Sequence, residues 1–272
     1  MRYLKGKRIG IIGLGNMGIA ILNGLILSGA VGKTALSGFD KEPAKRAGVK
    51  KRYSITISKS IPELVAGCDI IIIAVKPQNI DEALKEISFY GKDRLHISIA
   101  AGITTRRIEK ALGGKSRVVR VMPNTPALVG EGISALCKGR YALRTDIKTA
   151  DEIFSSVGEA VELSERYFDI VTALSGSGPA YFFYLKEALI DAAVRLGMDR
   201  KTAKRLVLKT ALGSARLLLE SGHEPGLLRR QVTSKGGTTE RAIKVLEKAK
   251  IKEAVARAVR AAARRSKELS RG

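Results

Sequence analysis

The chain has 272 residues, 45% of them apolar, with 28 glycines against 7 prolines, the balance of an ordered globular protein and not of a disordered one. Its 49 Lys and Arg outnumber 26 Asp and Glu for a formal net charge of +23, yet 7 Tyr, 6 Phe and no Trp leave little from which to build stacking platforms for single-stranded nucleic acid. The two cysteines, Cys68 and Cys137, exclude a disulfide framework and have no zinc spacing, so no metal site is expected.

No run approaches the roughly 20 apolar residues of a membrane span. The segment Met1 to Lys7 is charged and leads into a strand-like run instead of a signal-peptide pattern, so a cytoplasmic protein with no membrane partner is expected. The positive charge is concentrated late: from Arg200 to Gly272 there are 20 basic against 6 acidic side chains. A basic surface draws nucleic acid or a phosphorylated cofactor. Here the basic residues scatter at helical spacing and form no stripe, so they read as solvated helix faces, and nucleic acid is not the expected partner.

In chain order, Arg8–Gly13 predicts a strand that runs into Gly13-Leu14-Gly15-Asn16-Met17-Gly18 and then a helix, Asn16–Ser28. This is G-x-G-x-x-G in its proper setting: Gly13 for the tight turn, Gly15 for close approach of a pyrophosphate, Gly18 for packing of helix on sheet. Further strands are expected at Ala35–Phe39, Ile70–Val75, His96–Ala100, Val118–Met122 and Ser134–Lys138, with helices at Ile80–Ile87 and Thr104–Leu112 between them. Ile70 to Val75 is apolar at every position, as a strand covered on both faces must be. The alternation predicts an α/β fold with a doubly wound, parallel Rossmann-type sheet over residues 1–163.

The second strand ends at Phe39-Asp40-Lys41. Asp40 suits the ribose hydroxyls of NAD(H), whereas Lys41, Lys45 and Arg46 suit the 2′-phosphate of NADP(H), and both cofactors stay open. Ala74-Val75-Lys76-Pro77 and Ala100-Ala101 follow later strands at the end where such sheets bind ligands. Lys76 reads as either a functional cation or a solvated loop residue.

From about Tyr167 strand signals stop. Long helices are expected at Pro179–Leu196, Arg200–Ser221, Thr239–Lys248 and Lys252–Leu269, with Gly197 and Gly222 at helix ends. The helix from Pro179 is apolar almost all round, which predicts packing against a second subunit within an all-helical domain over residues 164–272. Just before Thr239–Lys248 stands Ser234-Lys235-Gly236-Gly237-Thr238-Thr239. Glycines and hydroxyls at a helix N-terminus present unpaired N–H groups to an anion, and with a dinucleotide fingerprint at the other end of the chain that anion reads as a substrate carboxylate.

These blocks, with Arg120-Val121-Met122-Pro123-Asn124-Thr125-Pro126 and Leu174-Ser175-Gly176-Ser177-Gly178-Pro179-Ala180-Tyr181, resemble the pyrroline-5-carboxylate reductase family nearly end to end. The resemblance implies NAD(P)H-dependent reduction of 1-pyrroline-5-carboxylate to L-proline, the last step of proline synthesis. It also implies a Rossmann domain followed by a helical domain that interlocks with its twofold mate, as a homodimer or an assembly of dimers. By the same resemblance, the loop Gly236 to Thr239 is expected to hold the substrate carboxylate, Thr239 to lie near the ring nitrogen, and Ala74–Pro77 and Ala100–Ala101 to line the cofactor.

The chain departs from that pattern in three places. Lys235 stands where the family usually has proline, and it either strengthens carboxylate binding or points into solvent. Arg229-Arg230 replaces Lys-Asp, and a cofactor-contacting asparagine of some members is replaced near Ile61-Pro62. Thr239 is the expected catalytic residue, Ser234, Lys235, Gly236, Gly237 and Thr238 join it at the substrate, and Ser175 reads equally as substrate contact or helix cap. An imine that arrives protonated needs no general acid, and neither histidine looks placed to be one: His96 falls in a strand, His223 in a loop. A related cyclic-imine reductase remains an alternative. The related 3-hydroxyacid dehydrogenases place a catalytic lysine where this chain has Phe182, which leaves that chemistry without its base. A cofactor-binding nucleic-acid or partner module is the alternative of another class.

Overall fold

The structure is a computed structural model that describes residues 2–91 and 93–270; the outermost residues of the two expected domains, Met1 and Gly272, lie outside them. By packing the chain divides into two compact units, Met1–Ser177 with Ala261–Gly272, and Gly178–Arg260.

The first unit is built on eight strands: β1 (Ile9–Ile12), β2 (Leu36–Phe39), β3 (Thr56–Ile57), β4 (Ile70–Ile73), β5 (Leu95–Ser98), β6 (Arg117–Met122), β7 (Gly132–Lys138) and β8 (Gly158–Glu162). They lie side by side in the order β3-β2-β1-β4-β5-β6-β7-β8. Helices α1 (Asn16–Leu27), α2 (Pro43–Tyr53), α3 (Ile61–Gly67), α4 (Ile80–Ser88), α5 (Thr105–Ala111) and α6 (Arg144–Phe154) connect them, and the short α7 (Phe168–Val171) follows β8.

The continuous apolar runs are explained by two cores. Ile70, Ile72, Leu95 and Ile97 face one core with α1 and α6, while Ile71 and Ile73 face the other with α3, α4 and α5. Successive side chains of a strand point to opposite faces, so a sheet covered on both sides must be apolar at every position.

Two findings differ from the sequence expectation of a parallel sheet. β7 runs antiparallel to β6, and β8 runs parallel to β7, so the last two strands oppose the rest. The link from β6 to β7, residues 123–131, holds only a 3-10 turn at Thr125–Val129 and is too short for the dozen or more residues of a parallel crossover. Strands β3 and β8, with helices α2, α3 and α6, were not among the expected elements: β3 has two residues and β8 is half-buried to exposed throughout, whereas α6 does bury Ile147, Ala150, Ile153 and Phe154 at helical spacing. At Gly158, φ is +143° and a Cβ would strike Gly132, so glycine alone lets β8 start beside β7.

The second unit is helical: α8 (Gly178–Arg195), α9 (Arg200–Ser221), α10 (Pro225–Gln231), α11 (Thr238–Lys248) and the start of α12 (Ile251–Leu269). Asp199 caps α9 by accepting the Thr202 N–H, and Gly222 ends it in the left-handed conformation, φ +63°. In α8 only Gly178 is buried, and Phe182, Phe183 and Tyr184 are 63%, 65% and 75% exposed. So large an apolar surface on one chain is the mark of an interaction face. No helix among the described residues is long and apolar enough to cross a membrane.

The expected boundary at 163/164 precedes α7; by packing, residues 164–177 and the last turns of α12 belong to the first unit. Ser266 Oγ donates to Asp169 at 2.7 Å, and a Cβ on Gly102 would lie 2.9 Å from Leu269, so the end of α12 rests on α7 and on the turn after β5.

Candidate active site

The strand order reverses between β1 and β4, whose tips, with that of β5, lie adjacent. Ligands of open α/β sheets bind at such a switch point, beyond the carboxyl ends of the strands. A cleft of about 450 Å³ sits there. It brings together Gly13, Gly15, Asp40, Lys41, Ala74, Val75 and Lys76 of the expected cofactor residues. It includes Lys45, read from the sequence as suited to a 2′-phosphate, and adds Glu42, Gln78 and Asn79, which carried no signature in the sequence.

The protein's own packing requires glycine at two of the three fingerprint positions and leaves space at the third. Gly13 has φ +102°, and a Cβ there would lie 2.6 Å from the Ala74 carbonyl oxygen. A Cβ on Gly18 would strike the Gly13 carbonyl oxygen, whereas one on Gly15 would meet nothing within 4 Å. The open space therefore lies at Gly15, the N-cap of α1, which has no capping side chain. The first helical bond of α1 runs from Ile19 N–H to Gly15, so the N–H groups of Asn16, Met17 and Gly18 precede it. An uncapped helix start beside open space fits the pyrophosphate of a dinucleotide.

Asp40 is 8% exposed and braces this turn: Oδ2 accepts the Leu14 N–H at 2.8 Å and Oδ1 the Glu42 N–H at 3.0 Å. The basic residues around it are partly engaged. Arg46 donates to the Asp40 carbonyl oxygen at 2.6 Å and sits over the Phe39 ring, and Lys45 pairs with Glu42 at 2.6 Å, while Lys41 is exposed. Lys76 is exposed and opens the 3-10 turn Pro77–Asn79. Ala100 is buried and Ala101 half-buried in the turn after β5. Ile61, where the family comparison expected a lost asparagine, is buried and forms an apolar part of the cleft wall.

Around this half, Arg120 of β6 is buried, lies 3.0 Å from Glu165 and stacks on Phe168. Glu165 also accepts from the N–H and hydroxyl of Thr105, both at 2.8 Å, so one carboxylate joins β6 to the start of α5. Cys137 faces Arg120 across the strand pair; burial first, and Glu165 second, push its thiol up to about 12, which leaves it inert. His96 is wholly buried in β5, and burial, aided by the charges of Arg117 and Arg94, lowers its pKa to about 4, so it is a neutral core residue.

Ser175 is not a helix cap. It lies in a π turn, Thr172–Gly176, and its hydroxyl donates back to the Val171 carbonyl at 3.0 Å. A Cβ on Gly176 would lie 2.6 Å from Met122 Cε, which explains the small residue beside it.

In the second unit, the loop Ser234–Gly237 leads into α11 with Gly237 as N-cap and no capping side chain. Gly236 has φ +75°, and a Cβ on Gly237 would lie 2.5 Å from Ser234 Oγ. The Gly237 N–H is bonded to the Ser234 carbonyl at 3.0 Å, and the Gly236 N–H to Glu240 at 2.7 Å. Two of the amides expected at the substrate are thus already engaged. The first helical bond of α11 is Arg241 N–H to Gly237, so the N–H groups of Thr238, Thr239 and Glu240 precede it and are the ones offered outward. Thr239 is half-buried; Ser234, Lys235 and Thr238 are exposed. Arg229 pairs with Glu247 at 3.2 Å, which ties α10 to α11 across the loop. Phe182 of α8 is covered in part by Lys186, whose Nζ lies 5.1 Å from the ring.

Comparison with known proteins agrees with both halves. A family model described as pyrroline-5-carboxylate reductase dimerisation matches residues 165–269, and one described as NADP oxidoreductase coenzyme F420-dependent matches residues 8–102. The pyrroline-5-carboxylate reductase of Methanosarcina acetivorans is 42% identical over 98% of this chain and 100% of its own. That of Escherichia coli is 42% identical over 97% of this chain and 99% of its own. The crystal structure of Plasmodium falciparum pyrroline carboxylate reductase with NADP bound superposes with a TM-score of 0.90 at 36% identity, covering 98% of this chain and 99% of that one. With such identity sustained from end to end, the chain belongs to the pyrroline-5-carboxylate reductase family.

Proposed function

We propose that this chain is a cytoplasmic reductase that converts 1-pyrroline-5-carboxylate to L-proline with NADPH or NADH. The observation that carries the reading is the presence in one chain of two uncapped helix starts, one at a dinucleotide cleft and one after a hydroxyl-rich loop. The curated relatives named for this reaction support it.

The bound cofactor supplies a hydride to the imine carbon. Everything else falls to the protein. The N–H groups of Asn16, Met17 and Gly18 hold the pyrophosphate, and Asp40 keeps that turn in shape through Leu14. Ala74–Pro77 and Ala100–Ala101 line the remainder of the cofactor. The N–H groups of Thr238 and Thr239 bind the substrate carboxylate, with Ser234 and Lys235 beside it, and the Thr239 hydroxyl orients the ring nitrogen. The Ser175 hydroxyl donates to Val171, so it meets the substrate as an acceptor, or as a donor only by giving up that bond. Because the imine arrives protonated, the product amine forms without a protein acid, and catalysis is positioning. The buried, neutral His96 is consistent with this. The apolar face of α8 supports a homodimer or an assembly of dimers.

The test is oxidation of NADPH and NADH with pyrroline-5-carboxylate and with its six-membered homologue. Rapid turnover of the five-membered ring is expected, and the cofactor ratio reports the balance between Asp40 and Lys41. Thr239→Val is expected to bind cofactor normally and to lose turnover; unchanged turnover would remove Thr239 from the site.

A further inference from the structure

The loop before α11 is largely exposed, and a Cβ on Gly236 would meet nothing within 4 Å, so packing does not impose the conformation of Gly236. A side chain from the helix it opens holds it instead. Glu240 Oε2 accepts the Gly236 N–H at 2.7 Å, with Gly236 at φ +75°. Its other oxygen, Oε1, lies 2.9 Å from Lys244 Nζ, one helical turn further on. The Lys244 bond first and the Gly236 N–H second hold the carboxyl below its ordinary range, so it is charged.

In a capping box, the third helical residue reaches back to the N–H of the N-cap. Glu240 is the third residue of α11 and reaches one residue further, past Gly237 to Gly236. The bond therefore fixes the turn itself, and with it the direction of the next amides. It also puts a negative charge on a loop read as binding a carboxylate. Like charges on one loop repel unless one is compensated, and Lys244 is placed to compensate Glu240.

We propose that Glu240 is the positioning residue of the substrate loop: it holds Gly236 so that the Thr238 and Thr239 N–H groups converge on the substrate carboxylate, and Lys244 cancels its charge. This rests on the reading of the loop as the carboxylate site. It also explains why the chain manages without the family's proline at Lys235: a charged hydrogen bond supplies the rigidity that a ring would supply.

The experiment is steady-state kinetics with pyrroline-5-carboxylate on the full-length protein, alongside NADPH affinity by fluorescence and thermal melting. Glu240→Ala is expected to raise KM about tenfold, with kcat changed less than about threefold and NADPH affinity unchanged, the loss expected for one charge-assisted hydrogen bond. Glu240→Gln keeps an acceptor for Gly236 and is expected to recover most of that loss. Lys244→Met uncovers the Glu240 charge and is expected to raise KM about fivefold, an effect that vanishes when Glu240→Gln is added. A simple helix cap would lower the melting temperature and leave these KM ratios alone. The proposal is overturned if Glu240→Ala leaves KM unchanged, or if the Lys244→Met effect survives in the double variant. Should Glu240→Ala fail to fold, the Gln and Met pair decides. Wild-type protein with no turnover would sink the proposed function and this inference together, whereas normal turnover with an indifferent Glu240→Ala would sink the inference alone.

Discussion

Two glycine-rich turns open two helices in this protein, and their caps are nearly superposable in backbone terms. Gly15 before α1 has φ −78° and ψ −173°; Gly237 before α11 has φ −78° and ψ 172°; neither has a capping side chain. What holds them differs. The first turn is buried and wedged: Gly13 against Ala74, Gly18 against Gly13, Asp40 beneath Leu14. The second is exposed and held by its own hydrogen bonds, Gly237 to Ser234 and Gly236 to Glu240. One local conformation can thus be enforced by packing or by electrostatics, and the two should fail in different ways.

The largest expected effect belongs to the wedged turn. Gly18→Ala drives a methyl into the Gly13 carbonyl, and backbone on both sides leaves little room to relax. Overpacking of this kind costs about 3 kcal/mol. A lower melting temperature together with loss of NADPH affinity is expected, and chemical denaturation followed by cofactor titration would show it. A stable Gly18→Ala protein with intact affinity would erase the contrast between the turns.

Burial has a second consequence for the first unit, visible in acid. Folding lowers the pKa of His96 from 6.5 to about 4, chiefly by burial. Between those values the unfolded chain takes up a proton that the folded chain refuses, so stability falls as pH drops from about 6.5 towards 4 and is unaffected by this group above 6.5. The full loss is on the order of 3 kcal/mol. Denaturation midpoints measured across that window should fall for the wild type and stay flatter for His96→Leu. Equal slopes would mean that another group carries the acid sensitivity.

The same contrast governs how much the sequence revealed. Strands β1, β2, β4, β5 and β6 and the long helices α8, α9, α11 and α12 were legible from their apolar patterns, and the two glycine loops from their composition, whereas the two-residue β3 and the short α10 were not. The reversal of β7 departs from the parallel alternation of the earlier strands, and its cause, the nine-residue link from β6, becomes decisive only once the two strands are known to be neighbours in the sheet. The engagement of Asp40 with Leu14, of Ser175 with Val171, and of Ser266 with Asp169 was not legible. In each the residue type allowed a ligand or a partner within the protein, and only the fold decides which is nearer. Glu240 falls inside the expected helix Thr239–Lys248, and nothing in its spacing marks a bond to the N′ residue instead of the N-cap.

The smallest expected effect lies at Gly236, and it isolates conformation from contact. A Cβ there touches nothing, so the whole cost of Gly236→Ala is the left-handed backbone at φ +75°, about 1 kcal/mol. If Glu240 defines the turn, that cost appears at the substrate: the loop relaxes towards negative φ, the Gly236 N–H turns away from Glu240, and KM rises about fivefold with little change in melting temperature. Gly236→Asn should do better than Ala, because asparagine adopts the left-handed region more readily. Equal KM values for wild type, Ala and Asn would mean that the turn is not what positions the Thr238 and Thr239 amides. The wedged turn would then be the only one of the two whose shape matters.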